Sequence, residues 1–396
     1  MAVMATGTRW LNRNVLAIGF ADFCADANYE MVLAVLPLFI TSGLGAPVAA
    51  VGLIEGVADG SSAVIKLLSG WYSDRIAWRR RLAATGYAGT VAGFGVVALL
   101  TTWPQVLGAR GVAWMGRGLR QPIRNALLAG SVQPQDAGKA FGFHEAMDTL
   151  GAVVGPAIAF VLLFGGHGFR TIFWVAVIPG VVATLAFTVL TRDPRRAVAA
   201  ALPLWRPLPG GFWRLIGAVS VFGAGNFAMA FFTLRAQQML EPDLSRPAAL
   251  AGAVAFYLFH NVVGSIASFP AGWLADRVGK APVLVAGYVC FALACLVAIL
   301  GHGPLWVALL AIPVGIQAPV VKATEGSLAS SLVGAEAHGT AFGVLDGVNG
   351  AGDLVSSLVT GALWTAAGPA AGLAYGGVVG LAGAAALAVL RPERRG

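Results

Sequence analysis

Asp22, Asp26 and Glu30 recur at steps of four in an otherwise apolar stretch. At 3.6 residues per turn each step drifts only about 40°, so on a helix the three acids form one stripe. Three carboxylates on one low-dielectric face repel one another, and at least one is expected to exchange a proton near working pH. Further acids stand in apolar runs at Glu55, Asp59, Glu145, Asp148, Glu325, Asp346 and Asp353. Basic groups follow the same habit: Arg110, Arg117, Arg120 and Arg124 fall in one such run. Arginine keeps its charge when buried, so each calls for an acid partner. His144 and Asp148 are four apart and share a face, which suits either a proton relay or a helix-packing pair. Later polar candidates are milder: Asn226, His260, Asn261, Gln317 and Asn349. Asp346, Asn349 and Asp353 share one helical face, and Lys322 with Glu325, three apart, reads as a pair.

The elements that position these groups follow from composition. Of 396 residues 58% are hydrophobic and 11% charged, against about 25% charged in a soluble domain. A water-soluble chain of this size would lack the charge to cover its surface, so the fitting solvent is lipid. About 20 apolar residues span roughly 30 Å of hydrocarbon. Breaking the runs at Gly, Pro and charge predicts twelve spans, at 15–40, 51–72, 83–102, 105–128, 139–163, 170–190, 213–239, 248–273, 281–301, 304–331, 339–364 and 370–390. The expectation is an all-α membrane protein with an N-terminal half at 1–190, a cytoplasmic linker at 191–212 and a C-terminal half at 213–396.

The net charge of +8 reads as topology, not nucleic-acid binding. With both termini cytoplasmic, nearly every loop Lys and Arg falls on the cytoplasmic side and only Arg170 and Arg246 on the other. The three cysteines (Cys24, Cys290 and Cys295) lie in apolar stretches and imply no disulfide framework. There is no zinc-type spacing, nucleophile elbow or nucleotide loop, so no metal, no cofactor and no enzymatic activity are expected.

The chain repeats itself. Gly70–Arg75 (GWYSDR) matches Gly272–Arg277 (GWLADR) at an offset of 202, and Gly138–Phe143 (GKAFGF) matches Gly339–Val344 (GTAFGV) at 201. Two matches at nearly one offset indicate duplication into six-plus-six spans, a transporter plan with its site at the midplane. These loops, G-x-x-x-D-R in both copies, resemble the gate signature of the major facilitator superfamily over essentially the whole chain. The resemblance implies twelve transmembrane helices in two pseudo-symmetric halves. It implies that Gly70 and Gly272 allow close packing, that Asp74 and Asp276 face neighbouring helix ends, and that Arg75 and Arg277 pair across a closed gate. Gly151-A-V-V-Gly155-Pro156 resembles the family's antiporter motif, although Ala159 and Phe160 replace its trailing glycines. Arg110 stands where the family often has a proton-linked arginine, with Trp114 in place of the glycine four residues on. Spans 3, 6, 9 and 12 carry no interior charge, matching the four lipid-facing helices of that fold.

The expectation is a proton-coupled exporter (an antiporter) of a small cationic, zwitterionic or neutral solute, monomeric and multi-pass in a bacterial inner membrane. Asp22, Asp26, Glu30, Arg110 and Asp148 are the proton-coupling candidates. Asp26, Asp59, Arg117, His144, Glu145, Asp148, Asn226, His260, Asn261, Gln317, Asp346 and Asn349 are the substrate-wall candidates. Proton-driven import, divalent-metal export, and a non-transporting receptor or lipid-handling protein are the alternatives.

Overall fold

The computed structural model describes residues 10–73, 78–133, 136–193, 208–334 and 337–390. Among them the chain is all helix: α1 (Arg13–Leu38), α2 (Val48–Ser73), α3 (Arg79–Val97), α4 (Trp103–Ala129), α5 (Ala137–Phe164), α6 (Phe169–Leu190), α7 (Gly210–Gly223), α8 (Ala230–Leu240), α9 (Arg246–Val278), α10 (Lys280–Leu300), α11 (Gly303–Leu332), α12 (His338–Ala367) and α13 (Pro369–Leu390). Helix is the form that lets an apolar segment satisfy its own backbone in lipid. Eight of the helices are long and apolar enough to cross a membrane. Starts are set locally. Asn12 Oδ1 accepts from the Asn14 and Val15 amides at the head of α1, and Thr102 with Gln105 forms a capping box on α4.

The predicted seventh span is not one helix. It breaks at Ala224–Met229 into α7 and α8. The sequence there, AGNFAM, pairs a glycine with an asparagine, both poor helix formers. The freed backbone is bound by side chains: Ser356 donates to the Asn226 carbonyl (3.0 Å), Tyr375 to that of Ala224 (2.5 Å), and Ser357 accepts from the Ala228 amide (3.2 Å). α7 also starts at Gly210, inside the expected linker; residues 194–207 of that linker lie outside the described residues.

Helices α1–α6 form one bundle and α7–α13 the other. Within them α3, α6, α10 and α13 pack chiefly against their own bundle and turn bulky apolar side chains outward, such as Trp174, Leu185, Leu293 and Val378. The bundles meet where α2 crosses α12 and α5 crosses α9. One face carries both ends of the described chain; there Asn12 bonds Ser131 and Asn14 bonds Arg192. On this terminal face the seam is exposed. Lys322 and Glu145 face each other across the seam at 3.7 Å while remaining 80% and 62% exposed. The opposite, distal face is sealed. Gln237 donates to Ser42 Oγ (3.1 Å), Arg246 to the Ser42 carbonyl (3.1 Å), and the Ala49 amide to Thr365 (2.9 Å).

Gly151 and Gly155 seat α5 on α1. A Cβ on Gly151 would lie 2.5 Å from the Phe23 carbonyl oxygen, and one on Gly155 2.5 Å from that of Ala27. Pro156 continues the same helix. In lipid such close backbone packing replaces the hydrophobic drive between helices. Gly155→Leu is therefore expected to push α5 off α1 and destabilise the fold by about 1–3 kcal/mol. An unchanged thermal midpoint of the purified variant would show that the α1–α5 seat does not need the glycine.

Candidate functional site

The α1 stripe resolves into three environments. Asp22 is fully buried and fully engaged: Tyr87 donates to one oxygen, Arg124 lies 2.9 Å from that oxygen, and His144 Nε2 lies 2.7 Å from the other. Asp26 is held more loosely, with the nearest guanidinium, Arg120, 3.8 Å away. Arg120 itself stacks over the Tyr87 ring at 4.3 Å. Asp148 of α5 lies in the same cluster, within 4.8 Å of Asp22 and His144, and the Gly151 seat brings α5 against the Asp26 Cβ. Glu30 sits at the seam, accepting from Tyr257 (2.8 Å) and Asn261 (3.4 Å) of α9. Asn261 also donates to the Ala152 carbonyl at 2.9 Å.

Arg110 is locked elsewhere. It grips Glu55 with two nitrogens, at 2.6 and 3.4 Å, with its guanidinium 3.4 Å above the Trp114 ring. Arg117 is different. It donates to Tyr29 Oη (3.2 Å) and lies over the Tyr29 and Trp114 rings, and among the described residues it has no carboxylate within 4.0 Å.

Arg117 opens onto a cavity of about 100 Å³ between the bundles. Its walls are Asp59, Ser62, Ala63, Lys66, Trp114 and Arg117 from one bundle and Asp346, Asn349, Gly350 and Asp353 from the other. Trp114 Nε1 donates to Asp59 at 2.5 Å. The structure thus brings Asp59, Arg117, Asp346 and Asn349 together. It leaves His144 on Asp22, Glu145 at the mouth, and Asn226 and Gln317 bonded to each other (3.3 Å) beside the break in span seven. His260 packs edge-on to Tyr257, with ring centroids 4.8 Å apart.

Two readings of the sequence need correction. Lys322 and Glu325 do not pair: Lys322 points to Glu145, while Glu325 is buried and bound by Tyr288 (2.8 Å) and Asn349 (3.0 Å). Three residues apart on a helix leaves about 60° between side chains, enough for one to face the mouth and the other the interior. Gly272 does not serve close packing, since a Cβ there would meet nothing within 4 Å. Arg277 lies over Trp273 of its own helix at 4.1 Å, and its expected partner across the gate, Arg75, lies outside the described residues. Gly70 lies in α2, but nothing is described of its surroundings, and Asp74 and Arg75 lie outside the described residues. No cation–carboxylate contact involving Asp276 is found among the described residues.

Sequence reasoning missed Lys66 as a wall residue. The signal was present: a lysine in the apolar run AVIKLL, seven residues after Asp59 and so on the same helical face. Asp22, His144 and Asp148 place ligand-type atoms within 4.8 Å of one another. Arg124 already supplies the positive charge on Asp22, which disfavours a cation there.

Comparison with known proteins agrees with this architecture. The family described as Major Facilitator Superfamily matches residues 18–259 and again 215–396. An uncharacterized MFS-type transporter of Methanocaldococcus jannaschii is 27% identical over 377 residues, covering 94% of each chain. An uncharacterized protein of Mycobacterium tuberculosis is 28% identical over 376 residues, covering 87% of this chain and 86% of its own. Among solved structures, a POT family transporter in complex with a thioalcohol-conjugated peptide superposes with a TM-score of 0.79 at 14% identity, over 96% of both chains. The chain belongs to the major facilitator superfamily and is an integral, multi-pass membrane transporter.

Proposed function

We propose that the protein exports a small solute in exchange for protons, rocking its two bundles about a site near mid-membrane. The observation that carries this reading is the buried cluster where α5 seats on α1, with Asp148 within 4.8 Å of Asp22 and His144 and α5 packed against the Asp26 Cβ. Neighbouring buried carboxyls, with an arginine 3.8 Å from Asp26, can share a proton and release it when the arginine approaches. That exchange lies in the same layer as Arg117, which opens on the cavity. A proton and a solute can therefore compete for one region, which is the requirement of antiport.

The side assignment is part of the proposal. Arg13, Arg80, Lys139 and Lys280 gather at helix ends on the terminal face, while Arg170 and Arg246 lie on the distal one. This bias supports a cytoplasmic terminal face. A monomeric carrier is part of the same proposal.

The test is reconstitution into vesicles with a pH-sensitive dye inside, using solutes that raise the thermal midpoint of the purified protein. Antiport is expected to move protons opposite to the solute and to stop when the pH gradient is collapsed. Protons moving with the solute would reverse the direction to import. Solute flux indifferent to the gradient would overturn proton coupling.

A further inference from the structure

We infer that the transported solute is a zwitterion whose opposite charges bind opposite bundles; this rests on the carrier reading above. The charges lining the cavity are sorted by wall. The first bundle presents two cations, Lys66 and Arg117, and one acid, Asp59, which is engaged by Trp114. The second bundle presents two acids, Asp346 and Asp353, and no cation among the residues lining the cavity.

Opposite charges share this small space, yet no ion pair within 4.0 Å joins any of them among the described residues. Elsewhere in the same bundle buried arginines find carboxylates at 2.6 and 2.9 Å. The cavity is therefore where charge is left for a ligand.

Both tiers of the cavity are arranged alike. At roughly 1.5 Å per residue, Lys66 and Asp346 lie about 10–12 Å from the terminal ends of their helices, and Arg117 and Asp353 about 18–22 Å. Lys66 and Asp346 thus share the shallower tier, and Arg117, Asp59 and Asp353 the deeper one.

Each simpler ligand class leaves a cost. An organic cation would satisfy the acids and meet Lys66 and Arg117 as like charges. An organic anion would satisfy the cations and meet Asp346 and Asp353. A zwitterion lying across the seam, with its anionic end on Lys66 and Arg117 and its cationic end on Asp346 and Asp353, satisfies both walls. It also draws the two bundles together along the seam. Binding then favours closure through contacts that only the closed state completes.

The test uses the full chain in lipid nanodiscs at constant ionic strength. The probes are glycine, β-alanine, 4-aminobutyrate and 5-aminopentanoate, each compared with the alkyl carboxylate and alkylamine of matching length. At least one amino acid is expected to raise the thermal midpoint by more than its two half-molecules together. Lys66→Gln and Asp353→Asn should each reduce that excess to the sum of the halves, and Lys66→Arg should retain it. If Lys66→Gln does not fold, Asp353→Asn and Lys66→Arg carry the comparison. The inference is overturned if no amino acid exceeds its halves, or if the excess survives removal of the charge on either wall. Zwitterion binding without proton movement in vesicles would sink the exporter reading and leave the clamp. Proton-linked flux of an amine or a carboxylate, with no excess for any amino acid, would do the reverse.

Discussion

Asp26→Asn is expected to abolish transport driven by a pH gradient while leaving exchange of solute at zero gradient. The amide has the shape of a protonated carboxyl, but it cannot release a proton. Of the three acids on α1, Asp26 has the weakest hold: Asp22 has a 2.9 Å arginine, a histidine and a tyrosine, whereas Asp26 has one guanidinium at 3.8 Å. The loss should therefore be specific to this position. Glu30→Gln should weaken the seam with Tyr257 and Asn261 without removing gradient-driven flux, because its partners are hydrogen-bond donors that an amide can still engage in part. Vesicle flux with and without a gradient separates the outcomes. Loss of both modes in a folded Asp26→Asn protein would make Asp26 a solute ligand. Unchanged gradient-driven flux would move the proton to Asp148 or Glu30.

What was legible in the sequence was whatever depends on one helix at a time. Apolar runs located the spans, and the four-residue spacing put the α1 acids on one face. The DR repeat disclosed the duplication. What was not legible depends on which bundle a side chain faces and in which conformational state. Lys322 and Glu325 have pairing-compatible spacing, but the turn between them sends one to the mouth and the other to Tyr288. Lys66 hid inside the run that marked its span, because a single lysine does not break an apolar window. The break in span seven depends on Ser356, Ser357 and Tyr375, which lie more than a hundred residues away.

Arg110 divides the structural from the coupling reading most sharply. It is 1% exposed and forms a two-pronged ion pair with Glu55, whose side chain is 7% exposed. Arg110→Met should leave Glu55 as a buried, uncompensated carboxylate and cost about 3–5 kcal/mol, enough to lose most of the folded protein. Adding Glu55→Leu removes the stranded charge. The double variant is expected to recover much of that loss, since a buried pair replaced by apolar groups of similar size is often neutral. Arg110 does not line the cavity, and its guanidinium is confined between Glu55 and the Trp114 ring. Trp114 in turn holds Asp59 at the cavity wall. The double variant should therefore fold, bind solute with altered affinity through a looser Trp114, and still respond to a pH gradient. A folded double variant that binds solute but has lost the gradient response would instead place Arg110 in the proton path, as its resemblance to the family's proton-linked arginine implies.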